Sequence, residues 1–371
     1  MPRRDLILVT AGLGLDGGGR AVVGRLLATA GAKWAAGRGV GFSVLALTDD
    51  QPLLEPLRWC GFGGSRARLS AAVWAAQTRP GQRPALVFDL LGLARTQALL
   101  PAFFAGPHAL FLLGIEVWRP LSWLHRRALL RARRVLAISR FTLERAAPFL
   151  PPTLRPAEVL PLALEQRAPT AEPDAALLAS LGRGFVLSVG RMSASERYKG
   201  HDELLEAWGR LGETRPDARL VVAGGGDDRP RLEARAAELG LGGRVRFTGF
   251  IDEATLAELY RRAGVFTMVS TGEGFGLVYL EAMRAGVPCV AARGSAAAEI
   301  IEPGTTGLLV PAGSPAELAG ALDRLLGDPA TAARMGEAGR RHHAAELSLA
   351  RFEARLGTVL DELTEVRRVR D

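Results

Sequence analysis

The stretch EGFGLVYLEAMRAGVPCV, residues 273–290, is the most informative part of this chain. It places Glu273 in a glycine-rich turn and then an apolar run typical of a buried helix, with Glu281 about two turns inside it. A strand-like run, PCVAA (288–292), follows. A helix start offers unpaired N–H groups and a positive dipole end to an anion. The pattern predicts a nucleotide-sugar site, with the diphosphate at the helix start and hydroxyl groups on the two carboxylates. The alternative is a loop glutamate followed by an ordinary helix glutamate.

The same alternation of short apolar runs and longer helical patterns extends along the chain, which is typical of parallel sheets built from βα units. The strand candidates of the first half are 6–10, 42–48, 85–90, 109–114 and 134–139. Those of the second half are 185–190, 219–224, 244–249, 265–270, 288–292 and 307–311. Helical patterns of the second half include 201–212, 229–239, 253–263 and 275–285. The sequence therefore predicts an α/β protein with two doubly wound units.

Prolines cluster between the two series of strands, and this stretch, 148–174, is predicted to be a linker. We predict a Rossmann-like N-terminal domain over 1–165 and a second Rossmann-like domain over 166–345, with the residues from Pro315 onward helical. Ligands of such sheets bind outside the carboxyl ends of the strands. The two domains are therefore expected to face each other across a ligand-binding cleft.

The composition of the 371 residues is that of an ordinary globular protein, with 48% hydrophobic and 23% charged residues. The only two cysteines, Cys60 and Cys289, are far apart in sequence, so no disulfide framework or paired-cysteine metal motif is available. This cysteine usage favours a reducing cytoplasm. We recognise no secretory signal and no membrane-spanning run of about 18 apolar residues.

The net charge of +8 is concentrated in the first half of the chain. Residues 1–165 contain 21 Lys and Arg against 10 Asp and Glu, whereas the remainder contains 26 against 29. In the densest basic stretch, 119–140, arginines alternate with apolar residues. It predicts either a basic helix on an anionic membrane surface or a helix packed on its own domain with solvated arginines. We expect no nucleic-acid partner, because no binding motif or aromatic stacking platform is present.

Two cations follow the strand candidate 185–190, Arg191 directly and Lys199 eight residues later. Lys199 is one of only two lysines, the other being Lys33, among 47 basic residues, which indicates that a compact ammonium is needed there. Arg191 and Lys199 together could neutralise a diphosphate leaving group. The alternative is that both are exposed loop charges.

Glycine-rich turns follow other strand candidates and allow close approach of a ligand to the backbone. One is AGGGDD (223–228). Another, Gly17-Gly18-Gly19, precedes a helical pattern and predicts either phosphate or sugar contact or a flexible loop. Its order is not G-x-G-x-x-G, so it is not a dinucleotide fingerprint. The predicted wall of a nucleobase pocket is Gly249, Phe250 and Ile251.

No motif for a catalytic metal is present. The chain lacks H-E-x-x-H, a Walker loop and the D-x-D triplet that would hold a divalent ion on a nucleotide diphosphate. The adjacent His342 and His343 cannot share one helix face. We therefore predict no metal, and expect Arg, Lys and helix dipoles to neutralise the diphosphate.

Five segments occur in order and with consistent spacing: GRMSASERYKG, AGGGDD, FTGFID, EGFGLVYLEAMRAGVPCVAA and GSAAAEIIEPGTTGLLVP. In them the chain resembles the retaining glycosyltransferases of family 4, the glycosyl transferases group 1. The resemblance is close over 184–325 and looser over the N-terminal half. It implies the GT-B architecture, with two Rossmann-like domains across a cleft and a C-terminal helix, in 346–371, that packs back on the N-terminal domain.

The resemblance also implies roles for matching residues. Arg191 and Lys199 would hold the donor diphosphate. Glu273 would contact the donor sugar, and Glu281 the ribose hydroxyl groups. The backbone at the helix start would contact sugar and phosphate through Gly274, Phe275, Gly276 and Leu277. The base pocket would be Gly249, Phe250 and Ile251, and the residues closing over the phosphate from the other domain would be Gly18 and Gly19.

One position departs from the family pattern. The family commonly has His where this chain has Leu113, near the expected donor sugar, which puts sugar positioning and donor choice in question. His108 lies five residues upstream and is not assumed to replace it. Asp89 and Glu116 both end strand candidates and are expected either as polar contacts in the cleft or as loop and cap residues.

The sequence thus predicts a metal-independent retaining glycosyltransferase that moves a hexose from a nucleoside diphosphate sugar, of UDP or GDP type, to an acceptor hydroxyl group. The basic N-terminal half favours a lipid-linked or anionic acceptor, and a cytoplasmic protein that can lie on the inner face of the membrane. The alternatives are a non-catalytic nucleotide-sugar-binding scaffold protein and a sugar-nucleotide epimerase of the same fold.

Overall fold

The computed structural model describes residues 3–14, 18–50, 58–81, 83–166 and 171–366. The chain divides into two compact units. The first consists of Met1–Glu165 together with Leu349–Asp371, and the second of Gln166–Ser348. Each unit contains a parallel sheet covered by helices, so the predicted α/β class is confirmed.

The sheet of the first unit has, within the described residues, seven parallel strands in the order β3-β2-β1-β4-β5-β6-β7. They are Leu6–Thr10 (β1), Phe42–Ala46 (β2), Arg58–Gly61 (β3), Ala85–Phe88 (β4), His108–Leu112 (β5), Arg134–Ala137 (β6) and Glu158–Val159 (β7). The central strands β1, β4 and β5 are buried throughout, as expected for a sheet covered on both faces. The strand order reverses between β1 and β4, which marks the topological switch point of this sheet.

Serine caps fix where several helices of the first unit begin. The helices up to the unit boundary are Gly18–Ala36 (α1), Arg66–Thr78 (α2), Arg95–Leu99 (α3), Trp123–Arg131 (α4) and Arg140–Ala146 (α5). Ser65, Ser122 and Ser139 precede α2, α4 and α5, and each hydroxyl oxygen accepts a hydrogen bond from the N–H three residues later. Such a bond pairs one of the free N–H groups of the first turn.

The second unit repeats the doubly wound pattern. Among the described residues its sheet has six parallel strands in the order β10-β9-β8-β11-β12-β13, with the switch point between β8 and β11. They are Val186–Val189 (β8), Leu220–Ala223 (β9), Val245–Gly249 (β10), Val265–Met268 (β11), Cys289–Ala292 (β12) and Gly307–Val310 (β13). The helices are Ala175–Leu181 (α6), His201–Leu211 (α7), Arg229–Glu238 (α8), Glu253–Arg262 (α9), Leu277–Arg284 (α10), Pro315–Gly327 (α11) and Pro329–Glu346 (α12). All six strands were predicted from the sequence.

The C-terminal helix, Leu349–Thr364 (α13), belongs to the first unit and packs against α1. Trp34 donates its indole N–H to Asp361 Oδ1 at 3.1 Å, and Arg38 donates to both oxygens of the same carboxylate. Residues 346–348, at the start of the predicted C-terminal segment, fall in the second unit. Residues 367–371 of that segment lie outside the described residues.

The predicted linker 148–174 is wrong over much of its length. It contains β7, and Leu160, Leu162 and Leu164 after it are buried in the first unit. A strand of only two residues is too short to show a strand pattern in its own sequence. The prolines around β7 also favour the prediction of a linker. The other strand missed by the sequence, β3, is also an edge strand. Residues 167–170 lie outside the described residues.

The basic stretch 119–140 is not one helix. It forms the nine-residue α4, crosses to β6, and ends at the start of α5. No helix in the described ranges is long and apolar enough to cross a bilayer.

Candidate functional site

Lys199 and Glu273 meet at the switch point of the second sheet. Lys199 follows β8 and Glu273 follows β11, the two strands that flank the reversal of strand order. The Lys199 ammonium contacts the Glu273 carboxylate, and the two side chains are only 14% and 22% exposed. The Thr271 N–H also donates to the Tyr198 carbonyl oxygen at 2.9 Å, which ties the two loops together. Two predicted site residues, 74 positions apart in sequence, are thus in contact where ligands of such sheets bind.

Arg191 lies in the same loop as Lys199 but is far more open. Its side chain is 60% exposed, and its Nε lies 3.6 Å from Glu196 Oε2. Such an exposed pair contributes little to stability, because water screens both charges. Arg191 can therefore exchange its carboxylate partner for another anion at small cost.

The turn AGGGDD holds the Arg191–Lys199 loop in place. An added Cβ at Gly224 or Gly226 would lie 2.1 Å from the Gly190 carbonyl oxygen or 1.9 Å from the Met192 carbonyl oxygen. Both positions also have positive φ, +133° and +153°, so only glycine fits them. The close approach expected of this turn is therefore made, in part, to the protein's own backbone.

Asp228, the last residue of that turn, is a positioning residue that the sequence prediction missed. It pairs with Arg197 in the neighbouring loop and with Arg231, which also binds Asp202 at the start of α7. Hydrogen bonds from Arg231 and Arg197 lower the pKa of Asp228 to about 2. The signal available in the sequence was the pair of aspartates that follows the three glycines after β9.

The start of α10, at the predicted anion site, has no side-chain cap. The helix begins at Leu277, two residues later than predicted, so Glu281 lies little more than one turn inside it rather than two. The cap residue is Gly276, with φ +100° and no side chain to bind the first N–H groups. Phe275 is buried, which leaves only its backbone for ligand contact. Gly274 and Leu277 are partly exposed on either side.

Glu281 is held by the neighbouring helix α9. The Tyr260 hydroxyl group donates to Glu281 Oε2 at 2.7 Å. Burial raises the pKa of Glu281, and the hydrogen bond from Tyr260 partly opposes this increase. The carboxylate is thus oriented by a fixed donor, as a group that accepts hydrogen bonds from sugar hydroxyls needs to be.

The predicted base-pocket residues end β10, two strands away from β8. Gly249 is buried, Ile251 is half-buried, and Phe250 is 83% exposed. A phenyl ring this exposed, at the carboxyl edge of a sheet, is available for stacking on a flat apolar ligand.

His201 is a further residue near Lys199 that the sequence prediction passed over. It is the first residue of α7 and is buried. Burial, together with the nearby Lys199 charge, lowers the pKa of His201 to about 4, so the ring is neutral at pH 7. A neutral ring beside Lys199 adds no charge to the site.

The switch point of the first sheet contains Asp89. This carboxylate accepts hydrogen bonds from the Thr10 hydroxyl group and from the Ala11 N–H at the end of β1. It is 1% exposed, and burial raises its pKa to about 7 although both hydrogen bonds oppose the change. Asp89 therefore joins the ends of β1 and β4, which is the loop role foreseen as its alternative.

Glu116 binds its own loop in the same way. Its Oε1 accepts hydrogen bonds from the N–H groups of Leu113, at 2.6 Å, and Gly114, at 3.2 Å. Burial raises its pKa as well, and the charge of Arg20 opposes the increase at both Glu116 and Asp89. Arg20, in the first turn of α1, is a further cation of this region that was not predicted.

The glycines at the start of α1 flank the same edge of the first sheet. Gly18 and Gly19 are exposed and form the first residues of the helix rather than a loop before it. No atom lies within 4 Å of a Cβ built on Gly19, so its backbone is open to a ligand. Gly17 lies outside the described residues.

His108 cannot take the place of the residue missing at Leu113. It begins β5, whereas Leu113 follows the end of that strand. Its ring is 1% exposed, with Nε2 3.1 Å from the Ala128 carbonyl oxygen, and burial lowers its pKa to about 4. His108 is a neutral core residue at the opposite edge of the sheet.

The raised pKa of Asp89 predicts a pH-dependent effect of Asp89→Asn. Between about pH 4 and 7 the folded carboxyl group keeps its proton while the unfolded chain loses it, so wild-type stability falls as pH rises, by at most ~1.4 kcal/mol per pH unit. Asparagine cannot ionise. We expect the free energy of unfolding of the variant, relative to wild type, to rise by about 1 kcal/mol per pH unit from pH 5 to pH 7. Urea unfolding across this range measures it, with the exposed Asp217→Asn as control, and a pH-independent difference would refute the assignment.

Metal ligands are not grouped in the part of the chain that the structure describes. No three His, Cys, Asp or Glu side chains there could hold one ion together.

Comparisons with known proteins place these residues in a wider group. Residues 172–342 match the family described as glycosyl transferases group 1. The chain is 35% identical over 181 residues to an alpha-D-kanosaminyltransferase of Streptomyces kanamyceticus, which is 49% of this chain and 46% of that protein. It is 31% identical over 293 residues to a 2-deoxystreptamine glucosyltransferase of the same organism, covering 69% and 75%.

A third relative acts on a lipid according to its name. The GDP-mannose-dependent alpha-(1-6)-phosphatidylinositol monomannoside mannosyltransferase of Mycolicibacterium smegmatis is 34% identical over 214 residues, which is 56% of each chain. The chain thus spans about half the length of two of these curated relatives and three quarters of the other.

Solved structures share the fold. HepE of Anabaena in complex with UDP has a TM-score of 0.73 at 20% identity, over 97% of this chain and 100% of that chain. A sucrose-phosphate synthase of Thermosynechococcus elongatus has a TM-score of 0.74 at 23% identity, over 97% and 99%.

Proposed function

Because the chain belongs to the glycosyl transferases group 1 family, we propose that it is a retaining glycosyltransferase that moves a hexose from a nucleoside diphosphate sugar to an acceptor hydroxyl group without a metal ion. The membership follows from the matched region and from the 2-deoxystreptamine glucosyltransferase, most of whose length is covered. The predicted GT-B fold class is confirmed by the likeness to the two solved structures.

The contact between Lys199 and Glu273 beside the start of α10 supports this proposal most directly. An ammonium, the more exposed guanidinium of Arg191 and an uncapped helix N-terminus all lie at the switch point of one sheet. All three attract anions. Positive groups held in advance are the arrangement that stabilises a departing diphosphate, and they cost no reorganisation during the reaction.

The proposed reaction proceeds on one face of the sugar. The acceptor oxygen forms a bond to the anomeric carbon while the bond from that carbon to the diphosphate oxygen breaks. The acceptor proton passes to the departing phosphate oxygen. The configuration at the anomeric carbon is retained because the acceptor attacks on the face from which the diphosphate leaves. Lys199 and Arg191 would neutralise the charge that develops on the diphosphate, and Glu273 would orient the sugar through its hydroxyl groups.

The donor is proposed to be of UDP or GDP type. Phe250 would stack on the base. Glu281 would accept hydrogen bonds from the ribose hydroxyl groups while its Oε2 also accepts one from the Tyr260 hydroxyl group. Among the similar proteins, HepE was solved with UDP-glucose and the mannosyltransferase depends on GDP-mannose. UDP and GDP share a ribose and a diphosphate, so the proposed backbone and carboxylate contacts fit either nucleotide.

The acceptor is proposed to be a lipid-linked or glycan molecule, reached from the inner face of the cytoplasmic membrane. The excess of positive charge in residues 1–165 supports an anionic acceptor or surface. The mannosyltransferase relative has a phosphatidylinositol-based acceptor in its name.

A non-catalytic nucleotide-sugar-binding protein is the second candidate. Leu113 supports it, because the family commonly has His at this position near the donor sugar. The presence of all four charged residues that donor binding would use argues against this candidate. They are Arg191, Lys199, Glu273 and Glu281.

A thermal-shift screen against UDP-, GDP-, ADP- and dTDP-sugars, in the presence of a chelator, tests the proposal. A donor present at a hundred times its Kd should stabilise its domain by about 2.7 kcal/mol. That corresponds to a shift of roughly 5–10 °C for a domain of this size. Ligands that shift the melting temperature are then followed for nucleoside diphosphate release.

The outcomes separate the candidates. Binding followed by slow nucleotide release supports the transferase. Binding without release, even with lipid and glycan acceptors, moves the conclusion to the binding protein. No shift with any donor refutes the proposed site in the second unit, and release that needs a divalent ion refutes metal independence.

A further inference from the structure

Exposed apolar side chains of the first unit are concentrated on α3, α4 and the segment between α3 and β5. Leu99, Phe103, Trp123 and Leu130 are 52%, 66%, 65% and 49% exposed. Single exposed apolar residues are normal on protein surfaces. Large ones gathered on neighbouring elements indicate an interaction site. We call these four residues, together with the arginines on α3 and α4, the α3–α4 surface.

Hydrogen bonds show that the two helices form one continuous surface. Arg127 Nε donates to the Ala98 carbonyl oxygen at 2.9 Å, and Arg131 donates to the Leu100 carbonyl oxygen at 2.7 Å. Both bonds run from α4 to the end of α3 and thereby bring Leu99 beside α4. Trp123 and Leu130, seven positions apart, lie on one side of α4.

The segment 91–140, which contains α3 and α4, is positively charged. Within 91–140 the sole acidic residue is Glu116, which is largely buried against its own backbone. The arginines of this range are Arg95, Arg119, Arg126, Arg127, Arg131, Arg133, Arg134 and Arg140. Arg134 binds Glu158 and Glu362 and is not counted in the surface.

A cavity of about 290 Å³ opens at one end of this surface. It is lined by Leu130, Arg131, Ala132, Arg133 and Arg155. The exposed Arg155 lines this cavity, and a guanidinium group can bind a phosphate group through a planar pair of donors. Leu130 belongs both to the cavity and to the exposed apolar side of α4, so one ligand can contact both.

We propose that the α3–α4 surface docks the protein on a bilayer that contains anionic phospholipids. Trp123 and Phe103 lie in the interfacial region of the bilayer, where aromatic side chains are favoured. The arginines contact the anionic headgroups, and one lipid phosphate enters the cavity at Arg155. The combination of exposed apolar side chains and positive charge fits an anionic phospholipid better than an apolar protein partner, which would offer the arginines no negative charge.

This surface deepens the proposed function, because it would hold the enzyme at the membrane where a lipid-linked acceptor lies. Docking itself needs no turnover. The surface also differs from the basic stretch 119–140. It excludes Arg134, which pairs with Glu158 and Glu362, and it includes residues of α3.

Vesicle sedimentation of the full chain tests the proposal. We expect the wild-type protein to bind vesicles of phosphatidylcholine with phosphatidylglycerol and to remain in the supernatant with phosphatidylcholine alone. Leu130→Glu and Trp123→Glu should each lower the partition coefficient about tenfold or more. Arg155→Gln should lower it roughly fivefold, the effect expected of one arginine near an anionic surface.

Matched changes outside the surface serve as controls. Val159→Glu places the same charge at another exposed apolar residue of the first unit, and Arg58→Gln removes an exposed arginine from β3. Both should bind vesicles as the wild type does. Circular dichroism and melting temperature check that every variant is folded, which is expected because all substituted side chains are exposed.

Several results would overturn the proposal. These are equal binding to neutral vesicles, no binding to anionic ones, or surface variants that bind like the controls. Self-association in the absence of lipid that Leu130→Glu abolishes would show that a second copy covers the surface. The proposed function is tested separately: Lys199→Ala should bind vesicles normally, and Leu130→Glu should release nucleotide normally with a soluble acceptor.

Discussion

Lys199→Ala is expected to lower kcat about 100- to 1000-fold while changing donor affinity less than about tenfold. Removing one positioned electrostatic group from a site that stabilises developing charge has an effect of this size. The ammonium is largely buried against Glu273 at the switch point, so water cannot replace it readily. The charge on the diphosphate grows as the bond to the sugar breaks, and Lys199 therefore matters more in the transition state than in the bound donor. Steady-state kinetics and a separate donor-binding titration measure the two effects.

Lys33→Ala is the matched control, because Lys33 is the only other lysine of the chain. It forms a pair with Glu353 on the surface of the first unit, with its side chain 70% exposed. Its loss should leave kcat unchanged and cost little stability. The double variant Lys199→Ala with Glu273→Gln removes the carboxylate left without a partner. Full recovery of kcat in the double variant would mean that Lys199 only neutralises Glu273, and equal kcat for Lys199→Ala and wild type would refute its role.

Glu281→Ala is expected to raise the Kd of the nucleotide about 10- to 100-fold. Hydrogen bonds to an ionised acceptor contribute about 1.5–3 kcal/mol each, and the proposed ribose contacts would be lost with the carboxylate. The change also leaves the buried Tyr260 hydroxyl group without its acceptor, which costs about 1–3 kcal/mol of stability. Calorimetric titration with the nucleoside diphosphate measures the Kd, and chemical unfolding measures the stability.

Two further variants separate binding from stability. Tyr260→Phe removes the donor but keeps the carboxylate, so it should lower stability less and leave most of the affinity. Glu337→Ala, on the surface of α12 and paired with Arg340, is the control for a glutamate lost from the second unit. If Glu281→Ala bound nucleotide as tightly as Glu337→Ala does, the ribose assignment would be wrong.

Much of the second unit was predictable because its strands are continuous apolar runs. β9 and β11 are buried at every position, as the runs at 219–224 and 265–270 indicate, and the turns after them contain glycines or acidic residues. A strand buried on both faces is largely apolar. The edge strands β3 and β7 escaped prediction because they are short and half-exposed, so pairing with a neighbour determines them more than their own composition does.

Candidate residues were predictable as types and positions, but not as partners. Lys199 stood out because lysine is so rare in this chain, and Glu273 and Glu281 because they bracket a helix start. That Lys199 would touch Glu273, and that Glu281 would be held by Tyr260, did not follow from either pattern. The positioning role of Asp228 was missed for the same reason, since its partners come from two other segments.

Local sequence patterns were sufficient to predict the α/β class, the restart of the strand pattern in the second half and the loops that carry the candidate donor site, because burial period and turn chemistry are local properties of the chain. Which of these loops meet depends on the folded arrangement of the strands. The order of strands in each sheet brings Asp89 to Thr10 and Lys199 to Glu273 across 79 and 74 positions. The tertiary structure likewise decided that Arg127 and Arg131 of the basic stretch bind the backbone at the end of α3. Contacts between segments distant in sequence depend on how the whole sheet is ordered, and no local pattern encodes that order.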